Sequence, residues 1–143
     1  MGSNDARDLT WSHPAVAIAG RWMFALIFFL SGITHFTDMT GYVRLMPEAI
    51  PFREFWVIVS AVVELAGATM IVANRFPRLG AWLIVLFLIP VTALVHGVAM
   101  VTATDPQVQQ MQISFFLKGV AMCGGALLIT QLGVGSPPGP ARS

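Results

Sequence analysis

Five ionisable side chains interrupt stretches of this 143-residue sequence that are otherwise apolar: Arg21, His35, Glu64, His96 and Lys118. A charged side chain at the centre of a bilayer costs about 2.5 to 3.5 kcal/mol on insertion scales, so each needs a partner or a purpose. Carboxyl, imidazole and amine groups all exchange protons, and burial tunes how readily they do so. Glu64, Lys118 and His96 are therefore the candidate catalytic residues, as groups that hold or protonate a ligand in a water-poor site. His35, Arg21 and Trp22 are the candidate ligand contacts. Glu64 with Lys118 reads in two ways: a buried ion pair that keeps helices in register, or a proton-handling site.

Other chemistries find little support. Two histidines and Glu64 have the composition of a two-His, one-carboxylate iron site, but their placement on three separate stretches carries no ligand spacing, and no metal is expected. Cys123 is the single cysteine, which excludes an internal disulfide and a CxxC pair. The eight methionines form no Met-x-x-Met array and read as packing. With no haem-attachment motif, cysteine cluster or nucleotide fingerprint, no intrinsic cofactor is expected, and electrons for any redox step must come from a partner chain. The net charge of +1 is spread without a basic run, which argues against nucleic acid as a partner.

The elements that position these groups follow from composition. The chain is 56% hydrophobic and 10% charged, against about a quarter charged in soluble domains. A helix needs about 20 mostly apolar residues to cross the hydrocarbon core. Four stretches qualify, at about 15–36, 55–73, 79–101 and 113–132, and no strand alternation is present. The expected fold is an all-α polytopic membrane protein, a four-transmembrane-helix bundle over residues 15–132, with membrane lipids around it. It is flanked by an N-terminal segment, 1–14, and an irregular Gly- and Pro-rich tail, 133–143. The first apolar stretch lacks a signal-peptide cleavage site and is expected to stay as a span.

The connections differ. Residues 74–78 make a tight basic turn. Residues 37–54 form a long loop in which Tyr42, Phe52 and Trp56 suit the headgroup zone, and 102–112 form a polar connection. Arg7, Arg75, Arg78 and Arg142 share one side, whereas Arg44 and Arg53 lie on the other. The positive-inside rule then puts both termini in the cytoplasm, with a bacterial inner membrane as the expected setting.

Counting about 1.5 Å per residue from the outer ends puts His96 and Lys118 at similar depths, Glu64 a little deeper and His35 near the outer boundary. Helical spacing groups Ser60, Ala61, Glu64, Gly67 and Ala68 on one face of the second span. It groups Arg21, Phe24, Ala25, Phe28, Ser31, Gly32 and His35 on the first span, and Lys118, Ala121 and Gly125 on the fourth. Each span is expected to turn these small and polar residues inward. Phe28, Phe29, Trp82, Phe87 and Phe115/Phe116 are left as candidates for contact with lipid or a partner. Pro90 removes a backbone donor before His96: a kink there opens a pocket, or neighbours re-satisfy the freed carbonyl, the usual outcome in membrane helices.

The ordered set Gly20-Arg21, Ser31-Gly32-Ile33-Thr34-His35-Phe36, Glu64-Leu65-Ala66-Gly67, Thr92 to His96, Phe116-Leu117-Lys118 and Gly124-Gly125 resembles the DoxX family of small four-helix membrane proteins. His35 stands where relatives often carry Lys, and Gly67-Ala68 where they carry Gly-Gly. The resemblance implies association with membrane-bound oxidoreductase complexes and with thiosulfate oxidation to quinone. Three functions follow as expectations. The first is an oxidoreductase-associated subunit holding or protonating a quinone-like molecule. The others are a non-catalytic accessory subunit packed on a larger membrane complex, and a small-molecule or proton carrier. A protein partner or homo-oligomer is expected in each case.

Overall fold

The computed structural model describes residues 14–131; the N-terminal segment, the tail, Arg7 and Arg142 lie outside them, with the expectations attached to them. All its regular elements are helical, because an apolar chain in lipid must satisfy its backbone within each segment. They are α1 (Pro14–Thr37), α2 (Met39–Leu45), α3 (Arg53–Val72), α4 (Pro77–Pro90), a π-helical segment (Val91–Gly97), α5 (Val98–Thr102) and α6 (Pro106–Gln131). Four rods are long and apolar enough to cross a membrane: α1, α3, the continuous run Pro77–Thr102, and α6. The protein is a four-span membrane bundle.

Two boundaries differ from the sequence reading. α6 starts at Pro106 rather than Ile113, absorbing the polar residues expected in the connection. The Asp105 side chain accepts from the Gln107 amide at 2.8 Å, and Pro106 suits a first helical turn, so local capping starts the helix before the apolar stretch. The long loop contains α2, which Asp38 caps by accepting from the Gly41 amide at 3.2 Å.

Within lipid there is no hydrophobic drive between helices, so association rests on close packing of small residues. α1 packs along α3, α3 along α4, and α4 along α6, which also contacts the π-segment and α5. A Cβ on Gly32 would lie 2.7 Å from the Leu65 side chain, so α1 and α3 touch there. At the α3/α4 crossing, a Cβ on Gly67 would lie 2.9 Å from the Gly80 carbonyl oxygen, and one on Gly80 2.7 Å from that of Gly67. The surrounding core holds Ala25, Phe28, Ala68, Ile71, Ala81, Ile84, Val85, Leu88 and Ala126. Phe28 therefore belongs to the core, as its place on the His35 face of α1 implies and not with the outer contacts it was also a candidate for, because Gly32 and Ala25 beside it let α1 seat deeply. No comparable interface joins α1 and α6; they meet where Phe24 lies against Gly125.

The close crossing predicts that Gly80→Ala lowers the unfolding temperature in detergent, by a destabilisation of about 1–3 kcal/mol. Gly124→Ala is the control, since nothing lies within 4 Å of a Cβ there. Equal behaviour of the two variants would contradict the close-approach account.

Candidate functional site

Side chains in a helix lean toward its N-terminus. α1 and α3 are consecutive spans and run in opposite directions, so His35, near the end of α1, leans into the bundle and Glu64 leans out to meet it. His35 Nε2 lies 3.8 Å from Glu64 Oε1, with the two side chains 7% and 0% exposed. His35 Nδ1 lies 2.7 Å from the Ser31 carbonyl oxygen. A carbonyl only accepts, so Nδ1 carries a hydrogen and Nε2 is the nitrogen that faces the carboxyl group. The 3.8 Å between Nε2 and Oε1 is ion-pair distance and too long for a hydrogen bond, so the further proton the pair needs for neutrality rests on one group or the other. Imidazole facing carboxylic acid and imidazolium facing carboxylate are both net neutral, which is the condition for keeping a carboxyl group inside a bilayer.

The pair is covered on the α2 side. The Tyr42 ring stacks on His35 with centroids 3.9 Å apart, and the Tyr42 hydroxyl is hydrogen-bonded to Thr34 Oγ1 at 2.7 Å. Phe87 of α4 meets the imidazole edge-on at 6.5 Å. On the other side the Ser31 hydroxyl lies beside the Glu64 carboxyl group without hydrogen-bond geometry, and both carboxyl oxygens are buried with no hydrogen bond. Ser31 also lines a cavity of about 240 Å³.

That cavity is a groove on the bundle surface. Ile27, Phe28 and Ser31 of α1 form one wall, Phe115, Lys118, Gly119 and Met122 of α6 the other, and Phe87 to His96 the floor. Ile27, Phe115 and Lys118 are exposed at its rim. Its floor owes its shape to the π-helical turns that follow Pro90. Proline offers no N–H to the preceding turn, and the wider winding that follows carries Thr92 and His96 toward α6. His96 Nδ1 lies 2.9 Å from Gln112 Oε1. The His96 ring sits 5.3 Å from that of Phe115, and Lys118 Nζ lies 5.4 Å from the same ring centre. The Thr92 hydroxyl fills the space that a Cβ on Gly119 would need, and it is buried without a hydrogen-bond partner.

The structure sorts the expected residues into two groups. His35 and Glu64 form the buried pair, and His96 and Lys118 line the groove next to it, with Ser31 between. The Glu64–Lys118 ion pair considered from sequence is replaced by Glu64–His35; no such pair with Lys118 forms among the described residues. The inward face of α6 is also shifted. Gln112, Gly119, Ala126 and Thr130 are the buried positions, whereas Lys118 and Ala121 are exposed and Gly125 is half-buried. Gly119 takes the inward place because the π-segment approaches α6 there. Arg21 and Trp22 lie far off, since 14 positions (35 − 21) along α1 correspond to about 21 Å. Arg21 Nε donates to the Ala17 carbonyl at 3.2 Å, and Trp22 is exposed beside Phe29. Among the described residues no three His, Cys, Asp or Glu side chains gather as a metal site would require.

Ser31, Tyr42, Thr92 and Gln112 were not among the candidate site residues. Ser31 stood in the motif ending the first span, Tyr42 read as a headgroup aromatic, and Gln112 sat in an expected loop. Only Thr92, two residues past Pro90 and among apolar neighbours, carried a local signal.

A family model described as DoxX matches residues 16–97, more than half of the chain, and the matched segment carries Ser31, His35, Glu64 and His96. The chain belongs to the DoxX family. No curated protein and no solved structure matches it. The DoxX match ends at Gly97, so Lys118 and the rest of α6 lie beyond it. DoxX membership makes this a membrane protein of a family associated with oxidoreductase systems.

The geometry predicts coupling between Glu64 and His35 and not between Glu64 and Lys118. In double-mutant cycles of unfolding free energy, Glu64→Gln with His35→Gln is expected to deviate from additivity by about 1–3 kcal/mol. Glu64→Gln with Lys118→Gln is expected to add within about 0.5 kcal/mol. The reverse pattern would restore the ion pair with Lys118.

Proposed function

We propose that this DoxX-family chain is a small membrane subunit of an oxidoreductase system, whose groove holds a quinone-like molecule and supplies it with protons. The observation that carries the reading is the buried Glu64–His35 pair beside a lipid-side groove that Ser31 lines. Reducing a quinone to a quinol consumes two electrons and two protons. In this reading His96 and Lys118 hold the carbonyl oxygen, and the Glu64–His35 pair relays protons in a water-poor site. The electrons come from a partner chain, because this sequence has no motif for a redox centre. In this reading the α2 end faces outward and the termini lie in the cytoplasm of a bacterial cell, following the arginine distribution.

The accessory-subunit alternative draws on exposed aromatic side chains such as Trp22 and Trp82, which suit a protein partner as well as lipid. Purification from the native membrane in mild detergent, with mass spectrometry of proteins and extracted quinones, separates the two. The proposal expects stoichiometric redox subunits and co-purifying quinone. Redox subunits without quinone favour the accessory role, and recovery of the chain alone overturns the redox-subunit reading.

A further inference from the structure

Lys118 sits five positions (118 − 113) past the start of the apolar stretch in α6, about 7.5 Å inside the span. Its four-carbon stem carries the ammonium toward the nearer interface, where a lipid head group can reach it. The ammonium is exposed at the rim of the groove, its described contact is the Phe115 ring, and no acidic side chain lines the groove. Glu64, the one carboxylate deep in a span, is engaged by His35. A cation is therefore held at the rim of the groove without a counter-charge from the described residues. The missing member is an anionic oxygen supplied from outside the chain.

We infer that the groove binds a lipid-soluble acid, a molecule with an anionic oxygen head on an apolar tail, entering sideways from the bilayer between α1 and α6 with Lys118 as its counter-ion. The route is the side of the bundle where α1 and α6 are not packed together. The walls suit a tail: Ile27, Phe28, Phe115 and Met122 are apolar. The head chemistry follows from Lys118: a lipid acid whose O–H proton is left to water at the membrane surface binds as its anion, and the anionic oxygen pairs with the ammonium so that the two charges cancel. The inference rests on the reading of this groove as a ligand site and names the head it selects. A carboxylic head such as a fatty acid's carries the anion, whereas a quinol, whose phenol groups keep their protons to about pH 10, meets Lys118 only as a neutral oxygen.

The test uses the full chain in nanodiscs of zwitterionic lipid, titrated with a fluorescent long-chain fatty acid and with its methyl ester. Saturable binding of the acid at least about tenfold tighter than the ester is expected, as one charge-assisted contact implies. Lys118→Gln is expected to remove that preference and Lys118→Arg to keep it. Equal binding of acid and ester by the wild-type chain, or no saturable binding of either, overturns the inference without depending on any variant's folding. Adding a quinol distinguishes the sources. Competition supports a quinol as the ligand. Lys118-dependent acid binding that quinol leaves untouched retires the quinone reading and leaves the acid site standing. Quinol binding that is indifferent to Lys118→Gln does the opposite.

Discussion

Glu64 has no exposure to the surroundings, lies between α1 and α3, and can persist there only as part of a net-neutral unit. His35 supplies the other half, and its own orientation depends on the Ser31 carbonyl one turn back along α1. Gly32 sets the approach of the two helices, Leu65 and Ala61 receive it, and Tyr42 of α2 closes the pair from its end of the bundle. Removing one partner of a buried pair costs about 3–5 kcal/mol, because the other is left uncompensated. The small-residue crossing and the α2 cap are thus arranged around one buried, net-neutral pair.

The second constraint is the break after Pro90. A regular α-helix through residues 91–97 would present different side chains to α6; the π-helical winding instead sets Thr92 against Gly119 and brings His96 to Gln112. The groove between α1 and α6 then has a polar floor and apolar walls. Its position next to Ser31 joins the neutral pair to a surface that lipid-soluble molecules can reach. Under the proposed function, this juxtaposition links the fold to the family's association with oxidoreductase systems, by setting titratable groups beside a groove open to lipid.

The four spans were legible because an 18-residue apolar stretch has few structural options in lipid. The inward face of α3 was legible for a related reason, since Ala61, Glu64, Gly67 and Ala68 are the only close cluster of small residues on that helix. α6 was not, because Ala121, Gly124, Gly125 and Ala126 offer small residues on several sides, and the face is decided by Thr92 of another helix. Depth counting brought His35, Glu64, His96 and Lys118 into one half of the bundle but chose the wrong partner for Glu64. It locates Cα atoms, whereas side chains on antiparallel helices lean toward each other by most of a turn. Pro90 marked a possible break without specifying a π-helix, since proline is equally compatible with a kink or a straight, re-bonded helix.

The central claim is that the partner of Glu64 is His35 and not Lys118. Solid-state NMR of the chain in bilayers, with ¹⁵N-labelled histidine and lysine and ¹³C-labelled glutamate carboxyl groups, measures this contact directly. A His35 Nδ1 resonance typical of a protonated nitrogen, with a dipolar contact from Nε2 to the Glu64 carboxyl carbon, is the predicted result. A contact from the Lys118 amine to that carbon, with none from His35, would contradict it.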